Sequence, residues 1–589
     1  MRKHSFLLAA LLALLVCVPG YAQTRSVKGN VKFAADGEPV LGGYVIVEGS
    51  KPVIGTTTDI DGNFQLDNLP ASAKFLIVSF VGCKDERVAI APEVKVVLKD
   101  DNEVLEGVVV TGMQQVDRRL FTGSSTKLNA DDTKISGLSD VSRSLEGRVA
   151  GVSVQNVSGT FGTAPKIRVR GATSIYGSSK PLWVVDGVIM EDVVEVDAES
   201  LSSGDANTLI SSAIAGLNSD DIESFDILKD GSATSIYGAR AMAGVIVVTT
   251  KKGRSGHSSI SYSGEYTMRL KPRYSTFNIM NSQDQMSVYQ ELQQKGYLAY
   301  AGTANASTSG VYGKMYQLLT QYDETSGQFG LANTAEAKAA YLRAAEYRNT
   351  DWFDLLFNYS VQHNHSVSMS GGTDKGNYYA SLSVMEDPGW TMQSQVQRFT
   401  GNLNATHRIF ENLSLNIISN AAYRKQRAPG TLSSTIDAVN GEVKRDFDIN
   451  PYSYALNTSR TLDPNEFYTR NYAPFNIFHE LENNFIDIDV TNIRFQGELK
   501  YKPIPKVELA VLGAAKYTAS ARQHHILDDS NQALAYRTAP TSAIRNNNPY
   551  LYTDPDDPFA LPEIILPYGG IYERNDNKMF GWDFRATAS

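Results

Sequence analysis

The sequence predicts a mainly β chain in three parts: a small all-β domain, a mixed α/β domain, and the first part of an antiparallel β-barrel that crosses a membrane. Three observations carry this. The chain opens on an export leader. Its N-terminal part passes from pure strand patterning to alternating strand and helix. Its remainder alternates apolar and polar residues over about eight segments, joined by connections that are alternately very short and very long, as membrane barrels are.

With 589 residues the chain exceeds one ordinary domain. Lys and Arg total 55 against 64 Asp and Glu, a formal net charge of −9, which argues against the basic face of a nucleic-acid binder. The start, "MRKHSFLLAALLALLVCVPGYAQ", has a basic tip, an apolar run from Phe6 to Val18 and small residues at Gly20 and Ala22. Residues 1–22 therefore form a signal peptide, cleaved after Ala22. Val16 stands where a lipoprotein signal carries a small residue, which opposes lipidation of Cys17. Removing the leader leaves Cys83 alone, so no intrachain disulfide forms. Beyond the leader no apolar stretch approaches the length of a membrane helix, so any membrane passage is made by strands.

Residues 25–99 read as a β-sandwich: "SVKGNVKF", "GGYVIVEG", "NFQLDNL", "KFLIVSFVG" and "VKVVLKD" are short strands punctuated by Gly, Pro and Asn or Asp. "TDIDGNF" alternates Asp59, Asp61 and Asn63, but Phe64 and Pro70 stand where a calcium loop needs glycine and a carboxylate. A tight Asp-Gly turn is the reading that remains.

Residues 103–112, "EVLEGVVVTG", form an apolar strand sequence between polar flanks, with no hairpin turn or partner strand nearby. A lone strand edge is a hazard, so its partner is expected on another protein. Residues 120–253 mix patterns. Ser139 caps an expected helix in "DVSRSLEGRVAGV", and "VSVQNV", "KIRVRGA" and "PLWVVDGVIM" read as strands. "LNSDDIESFDILKDGSATSIYGARAMAGVIVVTTKKG" reads as helix, strand, short helix, strand, with Asn218 or Ser219 as cap and Asp220 and Asp221 in the first turn.

"IRVRGATS", "PLWVVDGV", "ILKDGSATSIYGARAMAGVIVVTTKKG" and "EVLEGVVVTG" resemble the plug and TonB box of TonB-dependent outer-membrane transporters. "SLEGRVAGV", the "G…TTTDIDGNFQL" domain, similar to carboxypeptidase-regulatory-like (transthyretin-like) sandwiches, and "NTDWFDLLF" resemble the SusC/RagA branch. The likeness runs along the whole chain and is strongest from Glu103 to Gly253. It implies a Gram-negative, Bacteroidetes-like outer membrane, with the sandwich, TonB box and plug on the periplasmic side. It implies pairing of Leu105, Glu106, Gly107, Val108, Val109, Val110, Thr111 and Gly112 with TonB, which works with ExbB and ExbD, and pairing of Arg168 and Arg170 with barrel carboxylates. It also implies a SusD-type surface lipoprotein as lid.

Residues 258–589 can be read without the likeness. "SISYSGEYTMRLK" puts Ile260, Tyr262, Tyr266, Met268 and Leu270 on one face and Glu265, Arg269 and Lys271 on the other. "NIRFQGELKY" puts Ile493, Phe495, Leu499 and Tyr501 outward and Arg494, Gln496, Glu498 and Lys500 inward. The period recurs in Val361–Met369, Tyr378–Val384, Phe399–His407, Leu413–Tyr423, Val507–Tyr517 and Phe580–Ala586. "GGTDKGN", "IFEN" and "PIPK" are short connections; Pro272–Asn358, Arg424–Val490 and Ala519–Asn577 are long, with "EDPGWTMQSQ" a shorter member of the long side. A closed eight-stranded barrel is filled by its own side chains and has no room for the mixed domain. The expected sheet is therefore an incomplete wall, the front portion of a longer barrel.

No catalytic constellation, cofactor motif or metal set emerges. His363 and His365 share the outward face, where amphipathic rings sit at a membrane interface, and His524 and His525 fall in a long connection. "GSSKPLWVVDG" holds Ser, Lys and Asp without a histidine, and "SIYGSS" and "SIYGAR" lack the context of a phosphate loop. The expected function is import of a bulky glycan or oligopeptide, energised by the inner-membrane proton motive force through TonB; a TonB-linked receptor that mainly signals and a secreted β-domain adhesin are the alternatives. An aromatic girdle facing lipid separates the first two from the third.

Overall fold

The computed structural model describes the chain from Arg25 onward, apart from residues 35–36, 51–52, 71–72, 81–84, 99–107, 114, 118–122, 135–140, 156–164, 170–179, 193–213, 215, 254–257, 431–433, 438–441, 446, 505–506 and 558. The signal peptide, Leu105, Glu106, Gly107, Ser139 and Arg170 thus lie outside the described residues. Two compact units are present: residues 1–108 with 116–120, and residues 109–115 with 121–589.

The first unit is a β-sandwich. Asn63–Leu69, Arg25–Phe33 and Glu93–Leu98 form one sheet in that order; Gly55–Thr57, Tyr44–Val47, Phe75–Ser79 and Glu86–Ala89 form the other. Alternate residues such as Val27, Val31, Val45, Leu66, Leu76 and Val96 point inward and make its core. The Asp59 carboxylate accepts from the backbone N–H of Asp61 at 3.0 Å and Asn63 at 2.7 Å, closing the expected Asp-Gly turn. Gly55–Thr57 and Glu86–Ala89 are short flanking strands that the sequence patterning does not mark.

The second unit contains the mixed domain. Its sheet runs in the order Ser125–Asn129, Ile222–Leu228, Val245–Thr250, Leu182–Val185, Val188–Met190. Val245–Thr250 lies at the centre, parallel to Leu182–Val185 and antiparallel to Ile222–Leu228. Both its faces are covered, which is why "VIVVTT" is apolar without alternation. Phe225, Ile227, Ile246 and Val248 face one core; Leu228, Val245 and Val247 face the other. Asn218 caps the single 3₁₀ turn Ser219–Asp221 by accepting from the Asp220 N–H at 3.3 Å. The helix expected in "DVSRSLEGRVAGV" is only a 3₁₀ turn, Val141–Leu145.

Eight long antiparallel strands follow as a meander: β1 (Ser259–Arg269), β2 (Ser360–Thr373), β3 (Gly376–Asp387), β4 (Gln395–Phe410), β5 (Leu413–Pro429), β6 (Asn484–Ile504), β7 (Val507–Ile526) and β8 (Ile571–Ala588). Every one of them touches the mixed domain, so the sheet wraps around it. The contacts are Lys134 with Glu265, Asn218 with Ser366, Asp221 with Tyr379, Thr250 with Asn404, Gly216 with Ala422, Asp186 with Arg494, Ile189 with Lys516, and Gly187 with Arg585. In the described sheet β1 and β8 are the two edges.

The outer face of this wall is apolar and uncovered. Ile260, Phe580 and Trp582 are 76%, 71% and 74% exposed, with Tyr262, Tyr266, Leu382, Phe495 and Phe584 among the same rows. The inner rows are polar and buried: Ser366, Ser381, Asn402, Asn404, Arg494 and Gln496. A water-soluble sandwich has the reverse arrangement; a wall between lipid and a polar lumen has this one. Among the described residues no helix is long and apolar enough to cross a membrane.

Several strands outrun the expected ones. In β6 the outward row reads Asp487 and Asp489 before Ile493, Phe495, Leu499 and Tyr501; the inward row reads Ile486, Ile488 and Val490 before Arg494 and Gln496. The polarity of the two faces exchanges near Thr491: Ile486, Ile488 and Val490 are buried on the inner side, and Asp487 and Asp489 are half-buried on the outer. Residues assigned to the connections Arg424–Val490 and Ala519–Asn577 are therefore partly strand, and His524 and His525 lie at the end of β7, not in a loop. The long connections carry helices at Ser282–Gln294 and Ala335–Arg348. "NTDWFDLLF" supplies the centre of their core: Trp352, Phe353, Leu356 and Phe357 pack with Tyr274, Ile449 and Phe475.

Candidate coupling site

Of the apolar stretch 103–112, the described part, Val108–Gly112, is docked, which differs from the expectation of a free strand. Val108–Val110 pairs in a two-stranded sheet with Gln115–Asp117. Val109 is buried against Val184, Leu228, Val245, Val247, Ala233 and Tyr237, with Val110 and Met113 packed at the margin. The hairpin escaped sequence reading because "TGMQ" carries no Asn-Gly or Asp-Gly turn signal, and "QVD" is too short to show a period.

Three consecutive residues are also held through their backbone. The Val110 N–H faces the Asp226 carboxylate and pulls its pKa down. The Tyr237 hydroxyl donates to the Thr111 carbonyl. Arg585 of β8 donates to the Gly112 carbonyl at 3.4 Å and the Gly187 carbonyl at 3.1 Å. Gly112 has φ +78°, and a Cβ there would stand 2.4 Å from the Tyr237 oxygen, so only glycine fits. Burial pushes the Asp226 carboxyl up from 3.8 to about 6, against the pull of Lys127 and the Val110 N–H. Burial likewise raises the Tyr237 phenol.

Beside this seat the mixed domain is stitched to the wall at the turn Asp186-Gly187. Both residues have positive φ, +50° and +85°, as a two-residue hairpin of "VVDGV" requires. The Asp186 carboxylate accepts from the Thr250 N–H at 2.9 Å and from Arg494 of β6 at 2.9 Å, with both ion-pair side chains only 4% exposed. Arg494 also donates to the Val185 carbonyl at 2.5 Å and Gln496 to the Asp186 carbonyl at 2.9 Å. Lys516 of β7 donates to the Ile189 carbonyl at 2.7 Å and pairs with Asp583 at 3.0 Å. On the far side Lys134 bridges Asp220 and Glu265 of β1. Burial alone would lower the Lys134 pKa, but the two carboxylates outweigh it and raise it.

Arg168, expected to reach a wall carboxylate, lies opposite Ser153 in a two-stranded ladder, and among the described residues it makes no ion pair; its Nε is buried without a hydrogen-bond partner. At the Asp186-Gly187 turn the cations come from the wall and the acceptors from the mixed domain; at Lys134–Glu265 the roles are reversed. Arg494 stood on the inward row in the sequence, and a cation aimed at a lumen already filled by another domain was the available signal.

The histidines have ordinary partners. His365 shares a 2.7 Å hydrogen bond with Tyr262, and His363 lies 3.6 Å from Glu386. His524 bonds the Asn484 side chain at 2.7 Å, and His525 stacks on Phe485. Among the described residues no group of three or more His, Cys, Asp or Glu is gathered as a metal would need.

The TonB-dependent Receptor Plug Domain family matches residues 117–245, and the CarboxypepD_reg-like domain family matches residues 27–110. The chain is 34% identical over 438 residues to the TonB-dependent receptor SusC of Bacteroides thetaiotaomicron, covering 73% of this chain and 37% of that protein. The chain is a SusC-type TonB-dependent receptor. It is also 31% identical to the TonB-dependent receptor P26 of Formosa agariphila, over 67% of this chain and 34% of that one. The chain thus spans about a third of the length of these curated relatives. Its fold resembles that of the RagAB peptide importer in the closed-closed state, at a TM-score of 0.51 and 22% identity, covering 68% of this chain and 42% of that one. In this setting the mixed domain is the receptor's plug and the eight strands are barrel wall.

Proposed function

We propose that this SusC-type chain serves outer-membrane import of a bulky nutrient, glycan or oligopeptide, energised by the inner-membrane proton motive force through TonB. The observation that carries the reading is the seat itself. A short strand is held by a few contacts on a plug that is anchored to a lipid-facing wall. An outer membrane holds no ATP, so work on the plug arrives mechanically. Residues Leu105 to Gly112 are the segment to which TonB adds a strand, with main-chain hydrogen bonds giving the affinity. Undocking frees the Val110 N–H and the Thr111 and Gly112 carbonyls for that ladder. A pull on the freed strand then acts on the plug, whose sheet it was packed against.

The exposed apolar outer face argues against the secreted adhesin. A purely signalling receptor would share the seat but transport nothing. The long connections form packed clusters above the wall, and we assign loops within Pro272–Asn358 and Arg424–Val490 to contact with a SusD-type lipoprotein lid. Purification of the full-length protein from native outer membranes should recover both TonB and a surface lipoprotein that binds glycan or peptide. Recovery of TonB with no such lipoprotein would sink the lid, and growth on every tested glycan and peptide unaffected by loss of the protein would sink import.

A further inference from the structure

The plug sheet carries one carboxylate on the face where the coupling segment docks. Asp226 is 1% exposed, and its neighbours Phe225 and Ile227 point to the opposite core. The Val110 N–H faces the Asp226 carboxylate, whose Oδ2 is buried with no hydrogen-bond partner. Lys127 lies directly across the ladder from it on the adjoining strand, and Val247 is its partner on the other side. Among the described residues, Tyr237, held to the Thr111 carbonyl, and Arg585, held to the Gly112 carbonyl, are the other titratable groups bonded at the seat. A hydrophobic residue at this position would seat the segment more tightly; a half-satisfied carboxylate under it does the reverse.

We propose that Asp226 is the positioning residue that sets how readily the coupling segment leaves the plug: its carboxylate fixes the register of docking through the Val110 N–H, while its buried charge keeps the dock weak enough to open. The inference rests on residues 105–112 being the TonB-binding segment, but its test does not. While the segment is docked the charge is desolvated; once the segment leaves, water reaches it. The docked carboxyl, raised from 3.8 to about 6, therefore holds its proton better than the open one. Docking is fully favoured below the ordinary carboxylate pKa, weakens as pH rises towards the docked value, and is level above it. The span of this change is on the order of a hundredfold in the docking equilibrium, tenfold for each pH unit between the two values.

The test places a single reporter thiol at Met113→Cys in the full-length, membrane-inserted protein carrying Cys83→Ser, and follows its labelling by a charged maleimide through the accessible, undocked state, each rate being divided by that of a small reference thiol at the same pH. With Asp226 intact, labelling should quicken by tens of fold between pH 4.5 and 7. Asp226→Asn keeps an acceptor for the Val110 N–H without the charge; its labelling should be slow and independent of pH. Asp226→Ala removes the acceptor and should label faster than Asp226→Asn at every pH. An unchanged pH profile in Asp226→Asn, or equal labelling of the Asn and Ala variants, overturns the proposal. Capture of TonB by the same membranes separates the two ideas. A slowed Asp226→Asn segment in a protein that never binds TonB would leave the latch standing and remove the coupling role; normal capture with labelling indifferent to residue 226 would do the opposite.

Discussion

Replacing Arg494 by alanine removes one half of a deeply buried ion pair between plug and wall. Asp186 would keep its bonds to Thr250 but stay in a site only 4% exposed, its counter-charge gone. The Val185 carbonyl and the Asn420 side chain, bonded to Arg494 at 2.5 and 2.9 Å, would lose their donor as well. Breaking a buried pair from one side costs about 3–5 kcal/mol. Urea unfolding of the plug in solubilised full-length protein reads this directly, because Trp183 stands in the strand next to the pair. At a slope of about 2 kcal/mol per molar urea, the midpoint should fall by roughly 1.5–2.5 M. Arg494→Met with Asp186→Asn removes both charges and should restore much of the loss, since neither partner is left as a lone buried ion. A midpoint for Arg494→Ala within about 0.3 M of the parent, outside the error of extrapolation, would refute the view that this junction anchors the plug.

Two further outcomes follow from the same contacts. Tyr237→Phe keeps the ring on Val109 and deletes only the hydroxyl bonded to the Thr111 carbonyl; loss of about 1 kcal/mol should raise thiol labelling at position 113 roughly fivefold without lowering the plug's urea midpoint. Trp352→Ala empties the centre of the loop core and removes the bond from its indole N–H to the Ser459 carbonyl; a cost of about 3–5 kcal/mol should open residues 270–359 and 430–483 to protease while the plug remains protected.

Much of this architecture is legible in the sequence because lipid and lumen impose opposite demands on adjacent residues. Ile493, Phe495, Leu499 and Tyr501 alternate with Arg494, Gln496, Glu498 and Lys500, and the wall follows that pattern. The limit of legibility is the same physics reversed. Beyond Thr491 the outer row becomes acidic, with Asp487 paired to Arg427 at 2.7 Å, and the inner row becomes Ile486, Ile488 and Val490. A template that demands apolar residues outward reads that half of the strand as loop. The plug's strands were legible as well, since "VIVVTT" and "PLWVV" have the continuous apolar runs of covered strands. The seat was not. Its holding groups, Asp226, Tyr237 and Arg585, lie 116, 126 and 473 residues from the backbone groups they bind, counted from Val110, Thr111 and Gly112. Nothing local in "EVLEGVVVTG" shows that its partner is a sheet folded from residues far downstream. Gly112 was the one local signal, because a glycine after three valines marks a backbone that must turn close to something else.

The central claim is that residues 105–112 pair with TonB as an added strand, and capture of TonB by the membrane-inserted full-length protein tests it with two substitutions at one position. Val109→Ala trims packing worth about 2 kcal/mol from the docked state and keeps the backbone donor, so more of the segment is free to pair. Val109→Pro also loosens the dock, but removes the N–H and fixes φ, which blocks a β-ladder. With equal amounts of each protein in the membrane, Val109→Ala should capture more TonB than the parent and Val109→Pro almost none; capture by Val109→Pro at the parent's level would contradict strand addition at this segment.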